Sequence, residues 1–261
     1  MPRLHLFEFE DQPWFPQIIR EGMMDFLRHG ISWTNFYEPA APLIKSTIES
    51  AGVGEARLIE LCAGGGGGVL KMVSYLDSIN CHPKFMLTDL YPNISVYESL
   101  KLQSNGKIDF ITYPVDALNV PEEIKGMRLL FSSFHHFRPE AAKAILTDAS
   151  TKKESIGIFD AGNKSIFTLL FGVLLLQPFA FLLLTPFFKP FRWSRLFFTY
   201  VIPLIPLCTL WDGSVSVLRF YSVNELNQLT REVSLDHYLW KTGQVKNRWG
   251  LKVNYVIGHP S

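Results

Sequence analysis

The 261-residue chain has almost no excess charge: 25 Lys and Arg stand against 24 Asp and Glu, a formal net charge of +1. Without a basic surplus nothing neutralises a phosphate backbone, so nucleic acid is not an expected partner. Cysteine is scarce. Cys62, Cys81 and Cys208 are scattered without metal-ligand or disulfide spacing, which argues against a disulfide framework or a metal module and fits a reducing, cytoplasmic compartment. The opening MPRLHLFEFEDQPWF carries acids early and has no uninterrupted apolar core, so it does not read as a secretory signal. No internal repeat or low-complexity tract is visible. Charge is missing altogether from two long stretches, residues 166–188 and 196–211.

What is present is apolar and aromatic. Hydrophobic residues make up 48% of the chain and aromatics 14%, with 21 Phe and a mean hydropathy of +0.12, rich values for a soluble enzyme. Periodicity predicts helices over Gly22 to His29, Ala41 to Ser50 and Val69 to Ile79, and a further one opened by Pro139, where a first-turn proline is tolerated. Short apolar runs predict strands over Arg57 to Cys62, Lys84 to Leu90, Ile108 to Val115, Met127 to Phe134 and Ser155 to Ala161. Ser222 and Glu225 have the spacing of a capping box. The chain closes on two strand-like runs joined by KNRWG, read as an antiparallel hairpin. Strands alternating with helices predict an α/β fold, a parallel sheet with helices on both faces.

The stretch LIELCAGGGGGVL, Leu58 to Leu70, puts five consecutive glycines between a strand and a helix. Such a turn brings backbone N–H groups close to a ligand at the carboxyl edge of the sheet. Glu60 stands at the end of the first strand, Asp89 at the end of the second and Asp116 just after the third. Three acids there suit a nucleoside carrying positive charge and repel a pyrophosphate. Asp89 is placed to accept the hydroxyls of a ribose, and Asp116 to reach an adenine amino group.

With ELCAGGG, LTDLYPN, PVDAL and LLFSSFHHF in that order, the chain resembles the class I S-adenosylmethionine-dependent methyltransferases from about Arg57 to Asp160, together with the closing hairpin. Cys62 stands where that family's first motif glycine would be, followed by Gly64 and Gly66. The resemblance implies S-adenosylmethionine as cofactor, held by Glu60, Cys62, Gly64, Gly66, Asp89, Leu90, Asp116, Ala117 and Ser133. Nucleic acid is again disfavoured, because no Asn/Asp-Pro-Pro-aromatic motif follows the fourth strand. Two other readings stay open: a dinucleotide-dependent oxidoreductase, and a noncatalytic membrane-docking protein that keeps the fold.

The two charge-free stretches form an insertion where the family has a short connection. The first is long enough to cross a bilayer, which takes about 20 apolar residues, and the second is marginal; Pro178, Pro186, Pro203 and Pro206 are expected to break or kink both. A spanning hairpin would put Lys189, Arg192 and Arg195 on the far side, against the positive-inside tendency. A monotopic insertion, with those basic residues at the headgroups and Trp193, Tyr200 and Trp211 at the interface, avoids that conflict. The third option is a self-packed lid. The expected organisation is therefore an N-terminal helical lid at 1–52, a cofactor-binding domain at 53–161 and 212–261, and an insertion at 162–211 meeting a membrane surface.

Methyl transfer needs positioning and desolvation, and a general base only where the acceptor must lose a proton. His135 and His136 stand where such a base is expected, with Asp160 and Asp212 as weaker candidates; Asp212 reads more readily as the start of a turn with Gly213. Trp14, Phe15 and Tyr37 are expected to shape the pocket of a small, lipophilic acceptor, with an aromatic face suited to the sulfonium. Oligomeric state is not legible.

Overall fold

A computed structural model describes residues 3–50, 56–162, 164–189 and 191–261. In chain order the elements begin with helices α1 (Gln17–Thr34) and α2 (Ala41–Ser50), strand β1 (Arg57–Glu60) and helix α3 (Val69–Ser78). Strand β2 (Lys84–Leu87), helix α4 (Ile94–Gln103) and strands β3 (Ile108–Phe110) and β4 (Met127–Phe131) follow. Helix α5 (Pro139–Thr151) and strand β5 (Ile156–Ala161) complete the parallel part. A π-helical stretch, Thr168–Leu176, runs directly into α6 (Gln177–Leu184). Then come α7 (Trp193–Leu196), α8 (Leu204–Arg219), α9 (Val223–Glu232) and strands β6 (Tyr238–Lys246) and β7 (Lys252–Pro260).

The chain divides into two compact units, Met1–Trp33 with Asn163–Phe220, and Thr34–Gly162 with Tyr221–Ser261. The second holds a seven-stranded sheet in the order β3-β2-β1-β4-β5-β7-β6. Strands β1 to β5 are parallel, and β7 pairs antiparallel with β5 and with β6. The expected α/β sheet and closing hairpin are therefore present. Ile59, Leu130 and Ile158 point to one face, where they bury against Ala142, Ile145 and Leu146 of α5 and Leu226 and Leu229 of α9. Their neighbours Leu58, Leu129 and Phe159, equally buried, point to the other face, as the two-residue strand period requires. Helix α9 starts on the Ser222–Glu225 capping box, with both reciprocal bonds made.

The strands are shorter than their apolar runs. β2 stops at Leu87, β3 at Phe110 and β4 at Phe131; the residues beyond leave the ladder to form crevice loops. Helix α4 had no clear periodic signal, but Asn93 caps it by accepting the Val96 N–H. Helix α1 extends well past Gly22 to His29 at both ends.

In the first unit, Phe15, Ile19, Met23, Phe181 and Ile205 form a small core. Among the described residues one helical run, Thr168–Phe187, is long and apolar enough to cross a membrane; the pair Trp193–Val201 and Leu204–Arg219 is bent by 79° between its halves. Prolines explain both. Pro178 falls in the first turn of α6, where the wider π winding changes to α and a missing N–H is tolerated, so the first run stays continuous. Pro203 caps α8 and separates it from the preceding helical turn, so the second run is broken.

Two expectations are corrected here. Asp212 and Gly213 lie within α8 and form no turn; Asp212 accepts the backbone N–H of Phe9 at 2.8 Å and of Glu10 at 3.0 Å, pinning the N-terminal segment to the helix. The basic loop also offers headgroups little charge: of its three basic residues only Lys189 is exposed and in no ion pair among the described residues. Arg195 is buried against Asp25 and donates to the Phe188 carbonyl, while Arg192 pairs with Glu21.

Candidate functional site

The order of the sheet reverses between β1 and β4, which opens a crevice beyond the carboxyl ends of the strands. Backbone bonds stitch the acid-bearing loops across it. Thr88 donates its N–H to the Glu60 carbonyl at 2.9 Å, Ala63 donates to Thr88 at 3.0 Å, and Val115 donates to the Asp89 carbonyl at 2.9 Å. Asp89 takes the Gly64 N–H on one carboxylate oxygen and the Tyr91 N–H on the other, both at 2.8 Å. Each oxygen keeps lone pairs for a further donor. Asp116 accepts the Leu118 N–H at 2.9 Å, which turns the PVDAL loop.

The acids are graded in depth. Glu60 is 4% exposed, Asp89 half-buried and Asp116 exposed. Burial, with the Asp89 carboxylate nearby, pushes the Glu60 carboxyl up to about 8. Burial also raises Asp89, against the pull of its backbone donors. The glycine turn is wound left-handed at Cys62 (φ 55°), Gly64 (φ 52°) and Gly66 (φ 62°). At Gly66 a Cβ would overlap the end of the Leu100 side chain in a left-handed backbone, so a side chain there is strained. Cys62 adopts the same conformation with a side chain, which costs on the order of 1 kcal/mol and marks a strained position. Its thiol is pushed up by burial and by the surrounding acids.

Five buried polar atoms of this unit have no hydrogen-bond partner among the described residues: Arg128 Nε, Trp240 Nε1, Glu60 Oε2, Ser133 Oγ and the Tyr97 hydroxyl, of which the last three lie on or beside the acid-bearing loops. The Tyr97 hydroxyl is pushed up by burial and by the fields of Asp89 and Glu60. An unpaired buried polar atom costs about 1–3 kcal/mol, so Glu60 Oε2 and the Tyr97 hydroxyl, which lies in the field of Glu60 and Asp89, fit a ligand that supplies hydrogen bonds. Tyr97 lies on α4, and nothing in its immediate sequence singled it out. Leu90 is exposed and Ala117 buried, each beside its acid.

After β4 the chain turns through Ser132, itself left-handed at φ 50°, into a short helical turn, Phe134–His136. His135 is buried; its Nδ1 lies 2.9 Å from both carboxylate oxygens of Asp160, and its backbone N–H donates to Asp160 Oδ2 at 2.9 Å. Because a carboxylate only accepts, Nδ1 carries the proton and Nε2 is the basic nitrogen of the ring. His136 is half-buried, its ring centroid 4.3 Å from that of His135. The Asp160 pairing distinguishes the two histidines, which their sequence did not. Tyr37 is buried against Phe131 and shares a hydrogen bond with Ser132. Trp14 and Phe15 belong to the other unit, where Trp14 is 68% exposed and Phe15 is part of the core.

No protein-family model matches the chain, and no curated protein matches it. Solved structures do. It is similar to the plantazolicin methyltransferase BpumL in complex with SAH, with a TM-score of 0.61 and 13% identity over 97% of this chain and 94% of that one. It is similar to NcsB1, an O-methyltransferase from neocarzinostatin biosynthesis, with a TM-score of 0.53 and 12% identity over 94% of this chain and 59% of the other. The pyocyanin biosynthetic protein PhzM gives a TM-score of 0.52 at 10% identity, over 88% and 56%. At such identities the likeness is one of fold: the chain has the class I S-adenosylmethionine-dependent methyltransferase fold.

Proposed function

We propose that this protein is an S-adenosylmethionine-dependent methyltransferase whose acceptor is a small, lipophilic molecule, with residues 166–211 held at a membrane surface on the cytoplasmic side. The observation that carries the reading is the graded row of Glu60, Asp89 and Asp116 on stitched loops, with Glu60 Oε2 buried and unpaired. Bound there, S-adenosylmethionine supplies a methyl group already activated by its sulfonium. Glu60 offers an uncompensated carboxyl to the cationic part of the ligand. Asp89, fixed by two backbone donors, accepts hydroxyl groups, and Asp116 accepts from an amino group nearer the surface. The left-handed turn at Cys62, Gly64 and Gly66 clears space for close approach, with Leu90, Ala117 and Ser133 completing the site.

For an acceptor that must lose a proton, His135 takes it on Nε2 while Asp160 holds the ring in the required tautomer and steadies the charge that forms. Tyr37 is the aromatic residue of this unit assigned to the acceptor, and His136 neighbours the base. NcsB1 was crystallised with 2-hydroxy-5-methyl naphthoic acid, a small and largely apolar molecule, which supports an acceptor of that class.

Calorimetry of S-adenosylmethionine and its demethylated product on detergent-purified protein tests the cofactor site. The expected result is micromolar binding that weakens at least tenfold in Asp89→Ala. Once an acceptor is found, His135→Ala and Asp160→Asn should lower kcat by about 10²–10⁴ and leave cofactor binding intact. Absence of binding to either ligand would overturn the enzyme reading in favour of a noncatalytic docking protein.

A further inference from the structure

The helical run Thr168–Phe187 has two sides of opposite character. On the inner side Val173, Phe181 and Thr185 are buried, Phe181 stacks on Phe26 of α1 with ring centroids 3.8 Å apart, and Gln177 donates to the Thr209 carbonyl of α8 at 3.1 Å. On the outer side, residues such as Phe167, Phe171, Leu174, Leu175, Phe179 and Leu183 recur at three- and four-residue spacing, all exposed. Every exposed residue between 166 and 187 is Ile, Leu, Phe or Pro. In the second run only Tyr200 and Trp211 bring polar atoms to the exposed surface. Both are used internally: the Tyr200 hydroxyl donates to the Leu182 carbonyl at 2.7 Å and the Trp211 indole to the Phe7 carbonyl at 3.1 Å.

That pattern selects the occupant. A protein partner's interface carries about one hydrogen bond per 100–200 Å² within a polar rim, and between 166 and 187 the exposed side chains offer none. Hydrocarbon asks for none, and the helical backbone satisfies itself, as lipid requires. Two of the three cations in the basic loop are also neutralised from within, Arg195 by Asp25 and Arg192 by Glu21, which leaves only the exposed Lys189. Orientation follows from α1. The helix packed on the inner side carries Arg20, Glu21, Asp25 and Arg28, so a crossing would drag those charges into the bilayer, whereas a run lying flat leaves them in water.

We propose that the apolar side of residues 166–211 lies in the plane of one leaflet, held by burial in its hydrocarbon and not by attraction to anionic headgroups. This rests on the membrane part of the function proposed above and is independent of methyl transfer. The test is flotation of the full chain with phosphatidylcholine vesicles, with and without phosphatidylglycerol, at low and high NaCl. The protein should float with neutral vesicles, stay bound in high salt and be indifferent to Lys189→Ala. The exposed triple variant Leu174→Glu/Leu175→Glu/Leu183→Glu should lower the floated fraction at least tenfold while its circular-dichroism melt stays unchanged. A label on Lys189→Cys should remain quenchable from outside the vesicle.

Flotation only with phosphatidylglycerol and lost in salt, or protection of that label, would overturn the proposal. So would a detergent-free dimer that does not float and that the triple variant makes monomeric, because the occupant would then be a second copy. Binding of the demethylated cofactor on the same samples separates the two readings. Flotation without ligand binding sinks only the methyltransferase, and ligand binding without flotation sinks only the docking.

Discussion

Glu60 is a buried carboxyl beside a second acid, and its proton follows from that placement. Its folded value of about 8 stands above the ordinary 4.5, so between those limits the folded chain holds a proton that the unfolded chain has released. The stability tied to that proton is complete below the ordinary value and is lost as pH rises through the folded one. Glu60→Gln cannot ionise; its melting temperature should fall less than that of the wild type between pH 5 and 9, as read by differential scanning calorimetry. A cation seated opposite Glu60 favours the charged form, so cofactor binding near pH 7 should release a proton. That release appears as a dependence of the apparent enthalpy on buffer ionisation enthalpy, and it should vanish in the variant. The position of Glu60 was legible from a strand end followed by glycines. Its lack of a partner was not, because a missing contact depends on every neighbouring element. His135 and His136 were likewise equivalent in sequence until Asp160, 25 residues on, took one of them.

At the scale of elements, strand and helix identities were readable because alternation and capping are local, as in the capping box of α9 and the proline opening α5. Their ends were less so. The run LTDL continues the apolar pattern of β2, yet Thr88 and Asp89 leave the ladder to bond Glu60 and Gly64. In the first unit the tie between α1 and α7 is the Asp25–Arg195 pair, both side chains at most 9% exposed. Removing one member leaves an uncompensated buried charge. Asp25→Ala should therefore cost about 3–5 kcal/mol, while Asp25→Ala/Arg195→Met should regain much of that loss. Chemical denaturation in a fixed detergent measures both. No sequence signal joined these residues, which are 170 positions apart.

On the scale of the molecule, near-neutral charge meets a large apolar surface. With a net charge of +1 and an isoelectric point near 7.7, little repulsion opposes association of the exposed residues in 166–211. On removal of detergent, light scattering should be strongest near pH 7.7 and should not be relieved by NaCl, because salt screens charge and strengthens apolar burial. Relief by salt would mean that the association is electrostatic.

The alternation of strands and helices, the acids at or beyond the ends of three strands, the glycine turn and the two charge-free runs are all legible in the chain, since each depends on residues adjacent in it. Packing in three dimensions selects which histidine is held by Asp160, buries the Tyr97 hydroxyl unpaired near the acids, makes Asp212 a helical anchor, and spends Arg192 and Arg195 on Glu21 and Asp25. Those outcomes turn on contacts between residues far apart in the chain, where burial and charge pairing are settled by packing and leave no local pattern to read.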